Sequence, residues 1–340
     1  MDSQKHRIMK NQMSFLKSVA LATMMIFTFT QCDDNISGGD PVSPTEKTGE
    51  TSFEMTDAPI DDASVEGVFV TVTAIKIDGE IYDGFSGTQT INLLSYQEGN
   101  TKLLGTGELD AQTYSEVTLV LDYETDATGN APGCYIATID GMKHDLAAQG
   151  QATGEIVIQK PYEVEENVES NFVLDFDVRK AIAYETDTLT ATNFKFVTQA
   201  ELNAAVRFIE KDETGEVEGE VQDNASVSSD NIIVFAYRKD TYDQNTEVQG
   251  QGASNITFKN AVTSAVVKDN GEYKLAFLEA GDYELHFITF EDQNNDGKME
   301  AKGELTLNLL TSLGIDLNNV SIDANATVSL NVMVTGIINF

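Results

Sequence analysis

The chain is short of positive charge, with 21 Lys and Arg against 56 Asp and Glu and a formal charge of −35 over 340 residues. A field of that sign repels phosphate backbones and anionic lipid surfaces, which excludes nucleic acid as a partner and makes cations the natural small ligands. The same excess also serves plain solubility. Histidine is scarce, and beyond residue 31 only His144 and His286 remain. His144 sits in the polar run Lys143-His144-Asp145 and His286 alternates with Leu285 and Phe287 on a strand-like stretch, so neither reads as a general base. No nucleophile elbow, phosphate loop, zinc-ligand cluster or dinucleotide fingerprint occurs. The expectation is a protein that is not an enzyme and has no catalytic residues. Helix-like periodicity is confined to Gln199 to Val206 and Leu309 to Leu317.

Long apolar runs are missing too. The one candidate, Val19 to Phe29, follows Lys5, Arg7, Lys10 and Lys17 and has the length of a secretory h-region. It falls short of the about 20 residues needed to cross hydrocarbon. The run closes on Phe29-Thr30-Gln31-Cys32, followed by Asp33 and Asp34. This junction resembles a bacterial lipoprotein signal, in which the cysteine is diacylated and becomes the new N-terminus; Cys32 is the implied lipidation site. It departs from that pattern at Phe29, Thr30 and Gln31, where such signals favour Leu, a small residue, and then Gly, Ala or Ser. The alternative is an ordinary signal peptide cleaved nearby. Loss of a leader of net +3 leaves a mature chain near −38. With Cys32 acylated, Cys134 has no intrachain partner, so no disulfide is expected, and its setting between Gly133 and Tyr135 suits a small buried hydrophobe. Acidic residues straight after the lipidated cysteine resemble, in some Gram-negative lineages, a surface-export tag and in others an inner-membrane retention tag. The resemblance implies a lipid anchor in the outer membrane of a Gram-negative bacterium, at the cell surface, with the periplasmic face as the alternative.

Residues 33–50 are acidic, rich in Gly, Pro, Ser and Thr, and without apolar periodicity, which describes a flexible tether some 25 Å long. From Thr51 the texture changes. Val68, Val70, Val72 and Ala74 alternate with Phe69, Thr71, Thr73 and Ile75; Val117, Leu119 and Leu121 alternate with Thr118 and Val120; Phe172, Leu174, Phe176 and Val178 face away from Asp175 and Asp177. A period of two at this density argues for half-buried strands in antiparallel sheets. The blocks "MTDAPIDDASVEGVFVTVTAIKI", "NLLSYQEGNTKLLGTGELDAQTYSEVTLVLD" and "NFVLDFDVRKAI" resemble the bacterial envelope-protein family known as domain of unknown function 4382, over about Thr51 to Glu210. That family carries no established activity. Further on, "NGEYKLAFLEAGDYELHF" resembles the carboxypeptidase-regulatory-like and prealbumin-like β-sandwich modules through Gly271, Tyr273, Gly281 and Tyr283. Asn270-Gly271 supplies a tight turn, Gly281 another, and each Tyr then enters a strand with its ring toward the core. The expected fold is all-β: a signal peptide (1–31), a lipidated Cys and tether (32–50), and two antiparallel, prealbumin-like Greek-key sandwiches (51–212 and 213–340). A short echo links the two, Leu109 to Tyr114 paralleling Leu278 to Tyr283.

One loop has metal-ligand spacing. Asp292, Asn294 and Asp296 stand at positions 1, 3 and 5, and Gly297 at position 6, followed by Lys298, Glu300 and Glu304. Alternate oxygens on such a curl can converge on Ca²⁺ at about 2.4 Å. The pattern leaves the EF-hand at its end, where Gly303 holds position 12 and Glu304 falls one residue late; it resembles calcium loops of surface β-sandwich repeats, with Lys298 offering its carbonyl. The bland alternative is an acidic hairpin turn. Bound calcium would be structural. Two functional classes follow: a binding or adhesion module for a glycan or envelope protein, and a fimbria-like subunit whose strands, such as the closing Val328 to Val334 stretch, pair with another chain.

Overall fold

The computed structural model describes residues 47–60, 62, 64–147, 150–185, 193–223, 231–293, 298–310 and 316–340. They are predominantly strands, and no described helix exceeds six residues. The expected all-β class holds. Cys32, the leader and tether residues 33–46 lie outside the described residues, whereas residues 48–50, expected in the tether, already belong to the first strand, Thr48–Ala58, which is paired on both sides.

Beside a two-stranded ribbon of Ile182–Glu185 with Asn193–Phe196, residues 48–210 build two main sheets. One runs in the order Val206–Glu210, Glu169–Asp177, Thr48–Ala58, Lys102–Asp110; the other is Lys143–Asp145, Tyr135–Thr138, Val65–Ile77, Thr113–Asp122, Thr153–Glu163. Phe53, Phe172 and Phe208 from the first meet Val70, Leu119 and Ile156 from the second in one core. Strands Thr48–Ala58 and Glu169–Asp177 are parallel in an otherwise antiparallel sheet, a pairing direction that side-chain alternation does not encode. In Val65–Ile77 the register shifts between Val72 and Ala74, so Val68, Val70 and Val72 point inward before the shift and Ile75 and Ile77 after it. One extra residue in a strand of period two moves the apolar set to the other parity.

Residues 214–339 form a second lobe from one nine-stranded sheet, ordered Thr263–Val266, Asn231–Arg238, Gly281–Glu291, Glu300–Leu309, Val332–Asn339, Thr214–Gln222, Glu272–Glu279, with Val320–Ile322 added beside Gly281–Glu291 and Thr327–Ser329 beside Thr214–Gln222. It curls around a core that includes Val234, Leu275, Phe287 and Val332. Strand Asn231–Arg238 is apolar without alternation because both its faces are covered: Ile232, Val234 and Ala236 enter that core, while Ile233, Phe235 and Tyr237 enter another with Phe258 and Phe290. The closing strand Val332–Asn339 pairs with Glu300–Leu309 and, in parallel, with Thr214–Gln222, so it belongs to its own sheet. Gln199–Ala204 is a helix as expected, opened by a capping box of Thr198 and Glu201, whereas Leu309 ends a strand.

The echo between the halves is physical. The Tyr114 hydroxyl donates to the Asp110 carbonyl at 3.0 Å, and the Tyr283 hydroxyl to the Glu279 carbonyl at 2.7 Å, each four residues back. In both places the chain leaves one strand and enters another with which it does not pair, and the tyrosine ties the corner down. Tyr273 and Tyr283 are both buried, as their place after Gly271 and Gly281 implied.

Candidate functional site

The stretch Leu174 to Ile182 belongs to the first lobe and packs against the second. Phe172, Leu174 and Phe176 fill the first core, which forces Asp175 and Asp177 to the opposite face. That face is not solvent: Asp175 is 3% exposed and Asp177 3%, because the second lobe covers them. Buried carboxylates need cations. Arg207 supplies one, its Nε 3.0 Å from Asp175 Oδ2, and also donates to the Phe277 carbonyl. Asp177 caps the short helix Val178–Ala181 and lies 3.0 Å from Lys180 Nζ and 3.7 Å from Arg179. Burial works against ionisation of Asp177, yet Lys180 and Arg179 outweigh it and hold its carboxyl below the ordinary range. Asp57 lacks such a cation; burial pushes its carboxyl well up, opposed only by bonds from Gln97 and the Val178 amide.

The cations at this seam reach further. Arg179 donates to the carbonyls of Thr257 and Phe258, and Lys180 to that of Ala261. From a second side Glu201 accepts the amides of Ala253 (2.8 Å) and Ser254 (3.2 Å) and the Ser254 hydroxyl (2.6 Å). Burial opposes its charge, but hydrogen bonds from Ser254 and Thr198 prevail and keep the Glu201 carboxyl at about 2. From a third side Glu247, 1% exposed, accepts from Tyr237, Gln251 and the amide and side chain of Asn260. Four charged side chains thus fix one eleven-residue loop, 251–261. Its backbone is strained at Asn255 (φ 54°) and at Phe258 (φ 50°), the latter held by stacking on Phe235 at 4.6 Å. Gly252 (φ 72°) is required, since a Cβ there would stand 2.3 Å from Glu201 Oε1.

A surface loop held this tightly is a preorganised surface. It walls a cleft of about 180 Å³, whose other wall carries Tyr184 and Lys298. The Lys298 ammonium lies 4.4 Å from the centre of the Tyr184 ring. Arg179 forms the floor, with Ser254, Asn255 and Thr257 along the loop side.

The residues of the acidic motif are distributed differently. Asn294 and Asp296 lie outside the described residues. Asp292 follows the end of strand Gly281–Glu291, and Lys298 bridges by its backbone to Asp62. Glu300 folds back to accept the Gln293 amide at 3.0 Å, while Glu304 lies within its strand, 2.6 Å from His286 Nδ1. Among the described residues, no three His, Cys, Asp or Glu side chains are placed to hold a metal ion. His286 is buried and stacked on Tyr242 at 3.7 Å, and His144 lies edge-on to Phe194. Cys134 is buried as a small hydrophobe, and burial pushes its thiol up to about 12.

Sequence reasoning did not single out the pinned loop. Its signal was Arg179-Lys180 directly after a strand whose polar face was already two aspartates, which is too much charge for a face meant for core packing.

Comparison with known proteins gives the following. No curated protein sequence matches the chain. Among solved structures, the chain is similar to the Bacillus anthracis TIE protein (12% identity, 85% of this chain and 34% of that one, TM-score 0.19). It is also similar to BcpA, the major pilin subunit of Bacillus cereus (13%, 85% and 70%, TM-score 0.20), and to the shaft pilin SpaA of Lactobacillus rhamnosus GG (11%, 86% and 100%, TM-score 0.19). The chain spans about a third of the first of these, and at such TM-scores the likeness carries no functional argument. Residues 48–197, which include the Asp175 to Lys180 seam, match the family described as Domain of unknown function (DUF4382).

Proposed function

We propose that the protein is a non-enzymatic binding or adhesion module of the cell envelope, held by lipid on Cys32 above the outer membrane of a Gram-negative bacterium and exposed at the cell surface. The observation that supports a binding role is the loop 251–261, whose backbone is fixed by Arg179, Lys180, Glu201 and Glu247 beside an open cleft. Fixing a surface loop lowers the ordering cost of binding. Each buried acyl CH₂ contributes about 0.8 kcal/mol, so two or three chains on Cys32 would keep the module on the membrane. The fimbria-like alternative loses its most suggestive strand, because Val332–Asn339 is already paired within its own sheet.

Two experiments test this reading. Palmitate labelling of the full chain in cells is expected to depend on Cys32, and labelling that survives Cys32→Ala would refute the anchor. A screen of glycans and envelope proteins against the full chain is expected to give saturable binding. Catalytic turnover of a bound compound would contradict the non-enzymatic assignment.

A further inference from the structure

Building on the binding-module reading, we propose that the ladder between strands Thr48–Ala58 and Glu169–Asp177 is a mechanical clamp, which carries tension in shear from a ligand on loop 251–261 to the N-terminal tether. The first argument is where the two pulls enter. The chain from the tether joins the fold at Thr48, the start of a strand paired over nine residues in parallel with Glu169–Asp177 and over eight antiparallel with Lys102–Asp110. At its far end Glu169–Asp177 runs straight into Arg179 and Lys180, whose side chains hold the carbonyls of Thr257, Phe258 and Ala261. Glu201, which holds Ala253 and Ser254, joins at the same end, since its helix closes on Ala205 and the Ala205 carbonyl accepts the Asp177 amide. Because the two strands are parallel, tether and loop pull on opposite ends of one ladder, about 26 Å apart at a rise of about 3.3 Å per residue. A force along the ladder loads its hydrogen bonds together. Were the pair antiparallel, the end of the second strand would stand beside Thr48 and the same pull would open the bonds one at a time.

The second argument is the route that the seam bypasses. The covalent chain passes to the second lobe through the edge strand Val206–Glu210, whose last residue pairs with Phe172, nearer the Glu169 end of its neighbour. Tension arriving by that route alone would peel Val206–Glu210 from the sheet, one pair after another. The bonds of Arg179, Lys180 and Glu201 deliver it at the Asp177 end instead. The third is shielding. Phe53, Met55, Phe172, Leu174 and Phe176 line one face of the ladder in the first core, and on the other Asp57, Asp175 and Asp177 are buried, so water has little access to a stretched bond.

The test is single-molecule pulling on the full chain, produced without lipid so that the Cys32 thiol is one handle. The second handle is placed by Ala253→Cys, Glu169→Cys or Glu213→Cys, all exposed positions, while Cys134 is buried. Pulling between Cys32 and position 253 shears the ladder; position 169 opens it from the Thr48 end, and position 213 loads the covalent route. At one pulling speed the rupture force for position 253 is expected to be at least about twice that for either of the others. Equal forces at 253 and 169 would overturn the clamp, and a force at 213 as high as at 253 would remove the seam from the path and overturn it as well. These forces are read without ligand. The contrast in a protein that binds nothing in the ligand screen would uphold the clamp and count against the binding-module reading, and equal forces in a protein that does bind would do the reverse.

Discussion

Replacing Glu201 with Gln removes one charge from the loop's support and keeps the side chain's shape. The carboxylate takes bonds from Ala253, Ser254 and Thr198, and the amide of Gln can accept at only one oxygen. The carboxyl sits at about 2 in the folded protein against an ordinary 4.5. At about 1.4 kcal/mol per tenfold, that gap corresponds to at most about 3.4 kcal/mol of pH-linked stability. Solvent at the loop's outer side trims the expected cost to about 2 kcal/mol. Because the folded carboxyl is depressed, the contribution is complete above pH 4.5 and fades as pH falls toward about 2. Urea denaturation of wild type and Glu201→Gln should therefore differ by about 2 kcal/mol at pH 7 and by less than about 1 kcal/mol at pH 3. An equal difference at both pH values, or none at pH 7, would refute the claim that the charge of Glu201 holds the loop.

Other consequences are as direct. Arg179→Met leaves the Thr257 and Phe258 carbonyls unpaired and should cost about 3–5 kcal/mol in the same assay, with fast amide exchange appearing first in loop 251–261. Asp57, whose carboxyl is pushed well up by burial, has the opposite sign: its burial destabilises the fold increasingly as pH rises above the ordinary carboxylate range. Asp57→Asn should accordingly raise the melting temperature at pH 8 and leave it nearly unchanged at pH 4. Cys134, buried with its thiol at about 12, should resist iodoacetamide in native protein at pH 8 and react in urea; rapid native labelling would contradict the packing.

The strands were readable because alternation at Val68 to Val72, Val117 to Leu121 and Phe172 to Phe176 leaves little choice of face. What alternation does not carry is the partner. The parallel pairing of Thr48–Ala58 with Glu169–Asp177, and the parity change after Val72, depend on contacts between residues far apart in sequence. The site was less legible for the same reason. Glu201 reads locally as the third residue of a capping box, and it is one, but the same carboxylate also holds Ala253 and Ser254 some fifty residues on. Asp175 and Asp177 read as the wet face of a strand, and only the second lobe makes them a buried anchor. The acidic run from Asp292, conspicuous in sequence, lies partly outside the described residues, and Glu304 beyond it stands within hydrogen-bond reach of His286.

Amide hydrogen exchange on the full chain is the most direct test of the claim that loop 251–261 is a preorganised surface. The amides of Ala253, Ser254, Ile256, Phe258 and Asn260, each bonded within the site, are predicted to exchange as slowly as those of the flanking strands Asn231–Arg238 and Thr263–Val266, opening only with the lobe itself. Exchange of these five at the rate of an unstructured surface loop, with the strands still protected, would contradict it.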